Sequence, residues 1–217
     1  MPPPRALPAI LASRHHPAAM RAVDLTAATR DLLAPVCREC SWWLRPRAGA
    51  APALARHEWE EACEAEAGFF GRALLDGEAV VGWLHVAPAR LVPRAAALPA
   101  GPPSADAWLL ACAYFYDEEF LHGFQLLLQE VEASLKHRQV AALEAFALCE
   151  TAPADAFRGY LRAVNLFHHE VLEGHGFRRV AACGPVGRYR LDLRALVEAP
   201  RRTAAWAAEA PAAAQPV

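Results

Sequence analysis

Asp117, Glu118 and Glu119 stand between an apolar run, WLLACAYFY (108–116), and a segment of helical apolar spacing that opens with FLHGF (120–124). A strand-to-helix junction presents unpaired backbone N–H groups and the positive end of a helix dipole, a combination that binds anions. Acids at that place do something else: they cap the helix and complement its dipole. A carboxylate held about 4 Å from a phosphate oxygen is repelled by roughly 4 kcal/mol at an effective dielectric of about 20. Gly123 is the residue of the junction that permits close backbone approach. The stretch therefore reads either as a capped helix start or as an anion site of weakened charge.

Other residue types capable of chemistry lie elsewhere. Glu144 is a lone carboxylate in VAALEAFAL (140–148). If buried, its pKa rises toward the range of a general base. Otherwise it is a strand residue facing solvent or pairing with an arginine. Tyr160, His168 and His169 are near one another in sequence and can move protons. Cys37 and Cys40 form a CxxC pair followed by Trp42 and Trp43. A tetrahedral zinc site wants a second ligand pair, and a thioredoxin-like motif wants a strand-then-helix setting. Neither is present in the sequence, so a packing role for these thiols is the expectation and no metal site is assigned. The glutamates Glu58, Glu60, Glu61, Glu64 and Glu66 fall on one side of a helical stretch and read as a solvated face. Should that face border a cleft, it would favour a cationic amine.

The elements that position these groups follow from periodicity. MRAVDL (20–25) reads as a strand, and TAATRDLLA (26–34) as a helix with Thr26 as N-cap. PALARHEWEEACEAEAG (52–68) puts Ala55, Trp59, Ala62 and Cys63 on one helical face. FFGRALL and AVVGWLHVAP, joined by DGE, read as a hairpin. RLVPRAAALPAGPPSADA (90–107) is a long Pro-rich loop, suited to forming a wall over a cleft. After the strand at 108–116, a helix places Phe124, Leu127, Leu128, Val131 and Leu135 on one face. QVAALEAFAL is a buried strand, PADAFRGYLRAVNLFHHEVLEG is helical, and FRRVAACG and RYRLDLR are closing strands. Arg178, Arg179, Arg188, Arg190 and Arg194 are expected on the polar side of those last strands. Paired strands followed by strand–helix–strand units predict an α/β fold with a largely continuous sheet.

Of the 217 residues, 55% are apolar and 21% charged, which suffices for one substantial core. Residues 1–19 and 197–217 are rich in Ala and Pro without period, so they are expected to be a flexible leader and a low-complexity tail. That leaves 20–196 as the domain. The net charge of −2 gives no reason to expect nucleic acid or an anionic membrane as partner. No apolar run reaches the ~20 residues of a spanning helix, and the N-terminus makes a poor signal peptide. The expected location is cytoplasmic.

Three stretches resemble the Gcn5-related N-acetyltransferases (GNAT). LLDGEAVVGWLHVAP (74–88) is similar to the family's central hairpin, VAALEAFA (140–147) to its fifth strand, and NLFHHEVLEGHGFRRV (165–180) to its late helix and strand. CRECSWW (37–43), with the Pro-rich loop, resembles a bacterial subgroup of unassigned substrate. The resemblance spans about residues 20–196 and implies a mixed, mostly antiparallel sheet flanked by helices on both faces. It also implies acetyl-CoA as co-substrate, held at the strand-to-helix junction around residues 117–125. The family's motif there is Arg/Gln-x-x-Gly-x-Gly/Ala. On this chain its last glycine falls on Gly123, its first on Leu121 and its basic residue on Glu118.

Carried over residue by residue, the resemblance places Leu121, His122, Gly123, Phe124 and Gln125 at the pyrophosphate. Tyr114 and Phe115 lie at the thioester, where backbone N–H groups polarise the carbonyl, and Asn165 lies at the pantetheine arm. Leu172 occupies the position where many relatives carry a tyrosine acid, leaving Tyr160 or the neighbouring histidines to supply that proton. Glu144 is the candidate base. The implied activity is acyl-CoA-dependent N-acetyl transfer to an amine of a small molecule or peptide. The alternative is a catalytically inactive GNAT-like module that binds a ligand or protein. A homodimer is compatible with either reading.

Overall fold

The computed structural model describes residues 20–116, 120–149 and 166–196. The leader, the tail, the acids Asp117, Glu118 and Glu119, and the site candidates Tyr160 and Asn165 lie outside those residues. The strands are β1 (Met20–Leu25), β2 (Gly71–Asp76), β3 (Ala79–Pro88), β4 (Ala107–Phe115), β5 (Ala142–Leu148), β6 (Phe167–His168), β7 (Arg178–Cys183) and β8 (Val186–Asp192). They form one eight-stranded sheet in the order β1-β2-β3-β4-β5-β8-β7, with β6 added beside β5. The pairings are antiparallel except β4–β5 and β5–β6. The fold is therefore a mixed α/β sandwich with a mostly antiparallel sheet, as expected.

One face is covered by α4 (Phe120–His137) and α5 (His169–Gly174). The stripe read from the sequence is the one buried: Phe124, Leu127, Leu128, Val131 and Leu135 are at most 1% exposed. They pack on Leu84, Val86, Leu110, Leu143 and Ala145 of the sheet, with Leu172 of α5 in the same cluster. Residues spaced three and four apart lie on one side of a helix, so this face is dry and continuous.

The opposite face is a patchwork of short pieces. It comprises α1 (Pro35–Arg38), α2 (Arg56–Ala67) and α3 (Pro93–Ala97), with single 3-10 turns at Ala27–Leu32, Trp42–Leu44 and Ala89–Leu91. The helix expected over 26–34 is thus a 3-10 turn. Thr29 Oγ1 donates to the Asp24 carbonyl and accepts from the Thr26 N–H, and such local side-chain bonds compete with an α-helical ladder. The Pro-rich segment likewise contains α3, whose Ala95 is fully buried. Trp43, Leu44, Trp59, Trp83 and Phe146 fill this side of the core.

Two buried carboxylates pin the patchwork down. Glu60 of α2, 3% exposed, accepts from Arg30 Nε at 2.8 Å and from Arg56 Nε at 2.7 Å. The expectation of a solvated glutamate face therefore needs correction at Glu60, which points inward. Glu58 accepts from the Ala55 N–H and Glu64 from the Ala27 N–H, so those carboxylates are also engaged. The second carboxylate is Glu144.

Candidate functional site

β4 and β5 run parallel but are paired only at Ala107–Ala142, Trp108–Leu143 and Leu109–Glu144. Beyond Leu109 the two strands part. β8 pairs along the whole of β5 on its far side, so β6, pairing at Ala147 and Leu148, occupies the side of β5 that faces the gap. The gap thus opens between the later half of β4 and the β5–β6 edge, with α4 starting just past the end of β4. In open α/β sheets the crevice beyond the carboxyl ends of diverging parallel strands is where ligands bind. Strand backbone without a partner also offers N–H and C=O groups to an extended ligand.

A bulge shapes β4 at this point. His85 of β3 pairs with Cys112 while Val86 pairs with Leu110, leaving Ala111 as an extra residue. The insertion switches the alternation of side chains. Leu109 and Ala111 face the patchwork side, and after the bulge Tyr114 does so too, while Leu110, Ala113 and Phe115 face α4. Cys112 is thereby turned onto the patchwork side, toward His85.

Phe115 is lodged between two glycines. A Cβ on Gly82, its cross-strand partner, would stand 2.2 Å from the Phe115 ring, and one on Gly123 would stand 3.0 Å from it. Gly123 is buried in this contact and seats the first turn of α4 on the sheet. Its absent side chain serves helix–sheet packing. Leu121 and His122 are exposed in the same turn, where backbone N–H groups lack intrahelical acceptors. Phe124 and Gln125 lie a full turn in, so their N–H groups donate to carbonyls four residues back. The Phe124 side chain is fully buried, against Phe115, Phe167 and His175.

Glu144 is buried, as the base hypothesis requires, but its pKa moves the other way. Burial pushes the carboxyl up, and hydrogen bonds from Ser104 and Arg188 together outweigh it, so the net direction is downward. The Ser104 hydroxyl donates to Oε1 at 2.6 Å and its N–H to Oε2 at 3.1 Å. Arg188 Nη1 donates to Oε2 at 2.7 Å and Arg190 Nη1 to Oε1 at 3.1 Å. Arg190 also grips Asp106, at 2.9 Å. The carboxylate is held ionised and saturated with donors, which suits an anchor joining the Pro-rich segment to β5 and β8. Arg188 and Arg190 are accordingly part of a buried ion cluster and not simply the polar side of the closing strands.

His168 on β6 borders the gap. Its ring stacks on His169 with centroids 5.0 Å apart, and their Nδ1 atoms face Glu170 and Glu173 at 3.8 and 3.5 Å. Leu172 is fully buried in the α4–sheet core and contributes no proton donor. Tyr114 stacks on Trp83 at 4.5 Å with Tyr116 edge-on to both rings, an aromatic platform at the end of β4.

Beside that platform, on the side away from α4, lies a cavity of about 240 Å³. Its floor is Ala111–Tyr114 of β4, its roof Val36, Cys37 and Cys40, and its far wall Trp43, Leu44, Arg56 and Trp59. Arg56 is oriented by Glu60 and stacks over Trp59, 4.5 Å from the ring centroid. Its Nη2 meets His85 Nε2 at 3.2 Å, and His85 Nδ1 meets Cys112 Sγ at 3.1 Å. A guanidinium has only donors, so Nε2 accepts and the imidazole proton sits on Nδ1, directed at the sulfur. Burial and the Arg56 charge hold the His85 pKa well below the usual histidine range. Burial pushes the Cys112 thiol up to about 12, and burial followed by the neighbouring Cys40 raises Cys37. The six cysteines are all free, and among the described residues no group of three or more His, Cys, Asp and Glu side chains is placed to hold a metal ion. No described helix is long and apolar enough to cross a membrane. The Arg56–His85–Cys112 chain escaped sequence reasoning because the bulge that assembles it leaves no signal in periodicity.

No protein-family model matches the sequence, and no curated protein matches it either. Solved structures do match in shape. A putative acetyltransferase from Salmonella typhimurium with acetyl-CoA is 12% identical, with 81% of this chain and 94% of that one covered and a TM-score of 0.47. A GCN5-related N-acetyltransferase from Kribbella flavida is 14% identical over 82% and 99% of the two chains, with a TM-score of 0.46. An N-acetyltransferase from Thermoplasma acidophilum in complex with coenzyme A is 13% identical over 80% and 98%, with a TM-score of 0.42.

Proposed function

We propose that the chain is an acyl-CoA-dependent N-acetyltransferase acting on an amine of a small molecule or peptide. The observation that carries this reading is the parting of β4 from β5 after Leu109–Glu144, which leaves a strand-wide opening in an otherwise continuous sheet. The pantetheine arm of acetyl-CoA is an extended, amide-bearing chain, and it fits that opening as a substitute strand. Its thioester would then lie beside the end of β4, where backbone N–H groups near Tyr114 and Phe115 polarise the carbonyl. A neutral amine attacks the carbonyl carbon, the C–S bond breaks, and CoA leaves as the thiol. In this reading His168 or His169, on and next to β6, takes the amine's proton and returns it to the departing sulfur. Leu121 and His122 offer backbone donors for the pyrophosphate at the start of α4.

Calorimetric titration of the purified chain with acetyl-CoA tests the reading, with micromolar binding expected. The absence of binding at millimolar acetyl-CoA would favour an inactive binding module, which Leu172, lacking any proton to give, already suits.

A further inference from the structure

We propose that the cavity between β4 and the Cys37–Cys40 segment receives the acyl chain of an acyl-CoA longer than acetyl, of medium length and uncharged. This rests on the reading above and adds to it the class of acyl group. Three observations carry it.

The first is continuity. The cavity floor is Ala111–Tyr114 of β4 and ends at Tyr114, beside which the thioester is placed. An acyl chain extending from that thioester toward the patchwork side therefore runs directly into it.

The second is the chemistry of the lining. Cys37 and Cys112 are shifted toward the neutral thiol, and His85 is neutral. Neutral thiols behave as small, polarizable hydrophobes. Together with Val36, Trp43, Leu44 and Trp59 they make the wall effectively apolar. The one charge present is that of Arg56, already paired with Glu60 and directed at His85. Among the described residues no carboxylate lines the cavity, so an ammonium group entering it would meet Arg56 with nothing described to balance its own charge. That disfavours a cationic group as occupant and favours the uncharged acyl half of the reaction.

The third is size. At about 30 Å³ per water-sized group, 240 Å³ holds about eight heavy atoms. An acetyl group leaves most of that space empty, whereas an octanoyl chain fills it. The entrance is apolar as well, since Val36 on its roof is 69% exposed.

The experiment is calorimetry on the full chain with CoA, acetyl-CoA and octanoyl-CoA, the last below its aggregation threshold, followed by a cavity-filling variant. Octanoyl-CoA is expected to bind at least tenfold more tightly than acetyl-CoA. Cys40→Phe, which fills the cavity from its half-exposed roof, should abolish that preference and leave CoA affinity unchanged. Cys37→Leu provides the same readout if Cys40→Phe does not fold. Equal affinity for acetyl- and octanoyl-CoA overturns the inference while leaving the proposed function standing. A preference that survives both filling variants also overturns it, because the chain would then sit elsewhere. If none of the three ligands binds, the proposed function falls and the inference falls with it.

Discussion

The two faces of the sheet are built by different physics. Under α4 the contact is apolar side chain against apolar side chain, with Phe124, Leu127, Leu128, Val131 and Leu135 as one unbroken stripe. On the other face no described element exceeds the 12 residues of α2, and the buried Glu60 and Glu144 join pieces distant in sequence through ion pairs. A long helix needs only its own periodicity to find its place. Short segments need specific partners, and those partners also shape the cavity. One face therefore supports β4 along a continuous apolar stripe, and the other frames the cavity beside it.

The comparison is broken most severely at Glu144. Glu144→Ala leaves the half-buried Arg188 without its carboxylate, and removing one partner of a buried pair costs about 3–5 kcal/mol. Urea denaturation should show a loss of that size. A variant of unchanged stability that had lost only turnover would mean that Glu144 is a base after all. On the apolar face, Leu128→Ala should cost roughly 2–5 kcal/mol through lost burial and the cavity left behind. Sharing no charge, it should show no added pH dependence.

The glycines around Phe115 separate the two sides of β4 more finely. Gly82→Ala brings a methyl within 2.5 Å of the Tyr114 carbonyl oxygen and 2.2 Å of the Phe115 ring, and should destabilise by about 1–3 kcal/mol. Gly123→Ala meets the Phe115 ring at 3.0 Å but gains up to about 1 kcal/mol of helix propensity. Its melting temperature should stay close to that of the parent. The smallest expected effect is on acid stability. The folded-state pKa of Glu144 lies below its unfolded value, so its contribution is fully present above about pH 4.3 and fades as pH falls through the folded value. Between those limits the parent should lose stability with acid more steeply than Glu144→Gln.

These contrasts also explain what could be read before the fold was known. The α4 stripe and the strands at 20–25, 79–88 and 142–148 were legible, because burial on one side of a regular element writes its period into the sequence. Glu60 was not, since a glutamate among glutamates signals solvent until Arg30, 30 residues away, turns it inward. For Glu144 the sequence left open both burial and pairing with an arginine, and the direction of its pKa depended on Ser104, Arg188 and Arg190 arriving from other segments. Gly123 was read as a place where an anion could come close to the backbone. The approaching group in the structure is the Phe115 ring. The bulge at Ala111 and the two-residue strand β6 are too local to leave any periodic trace.

The central claim is that the opening between β4 and the β5–β6 edge holds the arm of an acyl-CoA as a substitute strand. Amide hydrogen exchange, with and without saturating acetyl-CoA, reads this directly, because a new ladder bond protects the amide that makes it. The account predicts added protection at residues 110–115 of β4 and at the first turn of α4, with α2 and β1 unchanged. Protection confined to other elements, or none on β4 under saturating ligand, would contradict it.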